Sequence, residues 1–174
     1  MAELIIFVVG LLLILAASWR PLRDPRQHGF YRFFAFLGIL FLVVTNAHVW
    51  FRDPFSLLQL ISWLLLISSA GLAGYGFHLL RSVGRPEGAF ENTTTVVREG
   101  AYRHIRHPLY SSLLLFAAGA YLKDPLLNGT ILLALVAICL AATARVEEQE
   151  NLTRFGEPYA GYMKSTKMFV PWLW

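Results

Sequence analysis

Gly100–Tyr110 reads Gly-Ala-Tyr-Arg-His-Ile-Arg-His-Pro-Leu-Tyr. Arg103 stands beside His104, Arg106 stands beside His107, and the hydroxyls of Tyr102 and Tyr110 flank both pairs. The stretch is cationic, titratable and aromatic within one short segment. Proline suits the first turn of a helix, and the residue before it avoids helical geometry. His107 is therefore expected just outside a helix start, where unpaired N–H groups and the positive dipole end favour an anion. A second polar cluster, Arg145-Val-Glu-Glu-Gln-Glu150, follows an apolar run. Neighbouring helical residues point about 100° apart, so at most one of Glu147 and Glu148 is expected to face a given site. Arg145 with Glu148, and Glu150 with Arg154, have the spacing of helical ion pairs. A solvated helix laced with salt bridges is the plainer reading of that cluster.

The elements that must position these residues are mostly apolar. The chain has 174 residues, 56% of them hydrophobic and only 15% charged, with mean hydropathy +0.53. Soluble domains carry nearer a quarter charged residues, so one all-α integral membrane domain over 1–174 is expected. Five apolar stretches have roughly the length of a span: 2–18, 31–50, 54–80, 108–122 and 125–144. The first lacks the basic flank of a secretory signal and is read as a retained span. Asp53-Pro54 and Asp124-Pro125 are expected to cap the third and fifth spans. The tail, 145–174, is expected to hold two short helices, the first ending at Phe155-Gly156. The loop around Gly84–Asn92 is expected to be irregular, with Thr93–Val97 extended.

All of the 15 basic residues except Arg52 and Lys123 fall in the first loop, the third loop or the tail. By the positive-inside rule the N-terminus is outside, and the hook at 100–110 shares the cytoplasmic face with the tail. The net charge of +4 follows this topology and is no nucleic-acid signal. Cys139 is a lone cysteine in an apolar run, so no intrachain disulfide forms. Trp172 and Trp174 fit interface anchoring. Gly71, Gly74 and Gly76 fit close packing of the third span. Asn46 and His48 are read as interfacial. No cluster has metal-ligand spacing, so no metal is expected.

Gly100-x-Tyr102-x-x-x-Arg106-His107-Pro108-x-Tyr110, followed by Glu147-Glu148-x-x-x-Leu152-x-x-Phe155-Gly156-x-x-Tyr159-x-x-Tyr162, resembles the isoprenylcysteine carboxyl methyltransferase family. That family shares its plan with the wider membrane phospholipid and thiol methyltransferases. The resemblance covers about 93–171 and implies a cofactor site formed by the cytoplasmic loop and the short C-terminal helices. The implied cofactor is S-adenosyl-L-methionine, with S-adenosyl-L-homocysteine as product. The contacts it implies are Thr94, Thr95, Val96, Val97, Tyr102, His107, Pro108, Leu109, Tyr110 and Glu147. An aromatic ring can face the sulfonium, the helix start can take the carboxylate, and a glutamate suits the ribose or amine.

The methyl donor is already activated, so the protein has to align an acceptor and exclude water. An ionised carboxylate or thiolate acceptor needs no general base. A cation would hold it, and Arg145 is the candidate, with Glu148 the other catalytic candidate. Eukaryotic relatives carry an arginine about one turn further upstream, where this chain has Thr143. The expected partners are membrane lipids and a lipophilic acceptor: prenylated cysteine, a phospholipid amine, a thiol or a fatty acid. The alternatives are a nicotinamide-dependent membrane reductase of related fold and a non-catalytic membrane homologue.

Overall fold

The computed structural model describes residues 1–88 and 92–171; Trp172, Trp174 and part of the irregular loop lie outside them. The described residues form six α-helices: α1 Ala2–Ser18, α2 His28–Thr45, α3 Leu57–Ser82, α4 Pro108–Tyr121, α5 Leu127–Phe155 and α6 Glu157–Ser165. Single 3₁₀ turns cover Pro21–Arg23, Ala47–Val49 and Gly100–Arg103, and no strand occurs among the described residues. Three helices, α2, α3 and α5, are long and apolar enough to cross a membrane. The five expected spans thus reduce to three by that measure. At 17 residues α1 is short. With 14 residues, α4 rises roughly 21 Å against a hydrocarbon core of about 30 Å.

Helix ends follow local chemistry. His107 is the N-cap of α4 and Pro108 its first residue. α5 runs unbroken to Phe155 and stops at Gly156, whose φ of +60° suits a residue without Cβ. The two Asp-Pro signals behave differently from expectation. α3 starts at Leu57, because the Ser56 side chain accepts from Gln59 N and caps the helix, while Asp53 sits in a left-handed turn at φ +44°. α5 starts at Leu127, with Leu126 rather than Asp124 as N-cap.

α3 packs on α4, α2 packs on α5, and α1 packs on α2. Ala35, Ile39 and Leu42 of α2 meet Val136, Leu140 and Ala144 of α5 in the main core, joined by Ala117 and Ala120 of α4. Small residues let the helix backbones approach. The α3–α4 seam adds buried hydrogen bonds from Ser62 Oγ to Gly119 O and from Ser69 Oγ to Ser112 O, both 2.7 Å. Of the three α3 glycines only Gly76 packs closely, where a Cβ would stand 3.2 Å from Leu109; Gly71 and Gly74 face open space. Asn46 is buried, not interfacial, and donates to Ala120 O.

α2 and α3 scarcely touch along their lengths. Near the hairpin turns they are bridged by aromatic rings, Trp50 and Phe51 against Trp63.

Candidate functional site

The hook begins at Gly100, which has φ +54° and lies against the Tyr75 hydroxyl, leaving no room for a Cβ. It then runs alongside the end of the chain. Lys167 N donates to His104 O, Arg106 N to Lys167 O and His107 N to Met168 O. Ile105 and Lys167 form a parallel bridge, and Ser111 Oγ donates to Phe169 O. The tail is thereby stitched to the hook and to the start of α4. α6 is pinned as well: Tyr162 OH donates to Tyr102 O at 2.6 Å, and Arg98 bonds Pro158 O while its guanidinium lies over the Tyr162 ring. Burial pushes the phenols of Tyr102, Tyr159 and Tyr162 well up from their ordinary value. They remain protonated donors at neutral pH.

The two polar clusters meet here, and the adjacent glutamates divide. Glu148 turns inward. Its Oε1 accepts from Arg106 Nε at 2.6 Å and lies 3.2 Å from His107 Nε2. Arg106 Nη1 also donates to Met163 O and Thr166 O, so one partly buried guanidinium ties α5, the hook and the tail together. Glu147 points into a cavity. The Tyr110 hydroxyl donates to its Oε2 at 2.5 Å, and His107 Nδ1 lies 4.0 Å from the same oxygen. The His107 ring stacks on Tyr110, with centroids 5.4 Å apart. The Glu147 side chain keeps 26% of its surface exposed against 7% for Glu148.

The cavity has a volume of about 260 Å³. Its polar half is made by Tyr102, Arg106, His107, Tyr110, Glu147 and Asn151, and its apolar half by Phe36, Ala73, Leu80, Leu109 and Leu113. Glu147, Asn151 and Phe155 form one wall at four-residue spacing on α5, and Arg32 and Phe36 do the same on α2. Such spacing puts side chains on one helix face. The apolar half lies where α2 and α3 stand apart.

Among the sequence candidates, Val96, Val97, Tyr102, His107, Leu109, Tyr110 and Glu147 line this cavity. Thr94, Thr95, Pro108, Glu148 and Arg145 do not. Thr94 and Thr95 are not part of an extended strand; they fold back on the end of α3, with hydroxyls donating to Arg85 O and Val83 O. Pro108 is buried under Gly76. Arg145 is exposed on α5. Sequence reasoning missed the α2 wall, Arg32 and Phe36, and the contact that sets it. Glu150 does not simply pair along its own helix. It accepts from His28 N at 3.2 Å and lies 2.6 Å from His28 Nδ1, clipping the start of α2 to α5. Arg154 instead reaches Asn92 Oδ1.

The model of a phospholipid methyltransferase family matches residues 57–157, more than half of the chain. The chain belongs to the phospholipid methyltransferase family. No curated protein matches it. The match spans α3, the hook, α4, α5 and the first residue of α6, and therefore Tyr102, His107, Tyr110, Glu147 and Glu148. α2, with Arg32 and Phe36, lies outside it. Membership supports a membrane methyltransferase, in keeping with the three long apolar helices.

Proposed function

We propose that the chain is an integral-membrane methyltransferase that uses S-adenosyl-L-methionine, releases S-adenosyl-L-homocysteine, and methylates a lipophilic acceptor. The observation that carries this reading is the two-natured cavity. A quarter-exposed carboxylate and a stacked His–Tyr pair occupy one half, and an apolar half opens between two membrane-length helices.

The side chains fit the cofactor's chemistry. Glu147 can accept from ribose hydroxyls or an amine, the Tyr102 and Tyr110 rings can face a sulfonium, and the α4 start can take a carboxylate. Val96, Val97 and Leu109 supply apolar wall. Thr94, Thr95 and Pro108 act from behind, holding the loop and α4 in place. When bound, the cofactor supplies a methyl group already activated on sulfur. The chain's own work is to orient and to exclude water. Tyr110 holds the Glu147 carboxylate by donating to it. Glu148 and Arg106 fix the ring of His107 and keep the tail closed over the site. Phe36, Leu109 and Leu113 receive the acceptor's apolar part from the bilayer.

This reading takes the five apolar helices as one membrane domain over 1–174, with the N-terminus outside and the hook, α6 and tail on the cytoplasmic side, as the distribution of basic residues supports. Substrate then arrives from the membrane and cofactor from the cytoplasm.

The test is thermal. Millimolar S-adenosylhomocysteine is expected to raise the melting temperature of the detergent-purified protein, through binding to the folded state alone. Arg52→Ala, at the far end of the helices, should keep that rise. No rise with S-adenosylhomocysteine, or a rise with NADPH in its place, overturns the reading.

A further inference from the structure

The cavity carries two arginines among the described residues, and they are not equivalent. Arg106 is committed to Glu148 and to two backbone carbonyls of the tail. Arg32 stands across the cavity on α2, one turn below Phe36, with its guanidinium over that ring. It therefore sits where the polar half passes into the apolar half. Its position is set from outside: Glu150 holds the backbone N–H and ring of His28, one turn before Arg32 on the same face of α2.

We propose that Arg32 is the residue that holds an anionic group of the methyl acceptor, so that the acceptor is an alkyl amphiphile with an acidic head. The proposal rests on the methyltransferase reading above. An anion on an apolar tail matches the junction: the tail lies along Phe36, Ala73 and Leu113, and the head meets a cation beside the cofactor half. Arg32 has standing partners in the resting protein. A guanidinium offers five N–H donors in a fixed fork, so an arriving carboxylate or phosphate shares or exchanges with them. Arg145, on the exposed side of α5, has no such outlook on the cavity.

The experiment is photo-labelling in nanodiscs with three probes that share one diazirine alkyl tail and differ only in the head: a carboxylate, a phosphate and an alcohol. S-adenosylhomocysteine is present, and labelled peptides are mapped by mass spectrometry. In the wild type, one or both acidic probes should label Phe36, Ala73 or Leu113 on the order of tenfold more than the alcohol, as one charge-assisted contact gives. The carboxylate-to-phosphate ratio identifies the head. Arg32→Gln should erase the preference and Arg32→Lys should keep part of it. Arg145→Gln, which leaves Arg32 in place, should keep the preference whole. The proposal is overturned by equal labelling with acid and alcohol in the wild type, by a preference that survives Arg32→Gln, or by one that Arg145→Gln removes. A separate melting measurement keeps the two readings apart. If S-adenosylhomocysteine fails to stabilise the wild type, the methyltransferase reading fails, while the probe ratios still decide whether Arg32 selects an anion.

Discussion

Arg106, its side chain 11% exposed, and Lys123, buried, are cations held by other elements at opposite ends of α4. At the hairpin end, Lys123 lies over Trp63 at 3.8 Å and Trp50 at 5.5 Å, and donates to Gln59 Oε1. Gln59 donates in turn to Lys123 O, and Asn46 to Ala120 O. Every member of that group joins one helix to another. Burial pulls the Lys123 amine down from its ordinary value. At the hook end, Arg106 and Glu148 make the same kind of clasp, yet the next carboxylate, Glu147, is left facing space. The difference is one helical step of about 100°. It teaches that polarity alone does not mark a site at a helix end. A polar group whose partner leaves part of it facing a cavity does.

The largest effect that separates the two ends should come from Arg106→Met. It leaves Glu148 buried with only His107 as counter-group, at a cost of about 3–5 kcal/mol. It also frees two tail carbonyls. Chemical denaturation in detergent should report that loss, and the stabilisation by S-adenosylhomocysteine should fall with it. Lys123→Met tests the opposite end. Loss of a desolvated cation–π contact should cost about 2 kcal/mol, with the S-adenosylhomocysteine response unchanged. An unstable Lys123→Met protein that also stops responding would blur the distinction between structural and site polarity.

Tyr162→Phe should be milder. It removes the donor to Tyr102 O, for about 1 kcal/mol, and loosens α6 over the cavity; limited proteolysis at α6 should accelerate. The smallest effect is in pH. The folded-state phenols of Tyr102 and Tyr162 lie above their ordinary value of 10.0. The folded protein therefore keeps protons that the unfolded chain gives up. Stability is complete below that value and declines as pH rises past it. Tyr162→Phe should show a shallower alkaline decline than the wild type in melting scans.

Much of the hook end was legible in the sequence because its signals are local. His107-Pro108 opens α4 and Gly156 closes α5, as backbone chemistry requires. The split between Glu147 and Glu148 follows from helical geometry. The α2 wall was not legible, because nothing near Arg32 in sequence names residue 150 as the neighbour of His28. Arg32 reads locally as one more charge of a basic loop. A signal did exist: Arg32 and Phe36 are four apart, as are Glu147, Asn151 and Phe155, and each set forms a face. Asp53 misled because Ser56, three residues on, competes for the same cap. Lys123 was not legible either, because Gln59, Trp50 and Trp63, which hold it, are far from it in sequence. The Ile105–Lys167 bridge is an isolated pairing, too short to leave a periodic trace.

The most direct test of the central claim is equilibrium binding of radiolabelled S-adenosylmethionine to the purified protein in nanodiscs, comparing the wild type with Glu147→Gln. Glu147 is only partly buried, so the substitution should leave the fold standing while removing the negative charge and replacing one of its two acceptor oxygens with a donor. The account predicts saturable binding near one equivalent for the wild type, and affinity lower by tenfold or more for the variant. Absence of binding to the wild type, or equal affinity in a folded Glu147→Gln protein, would contradict it.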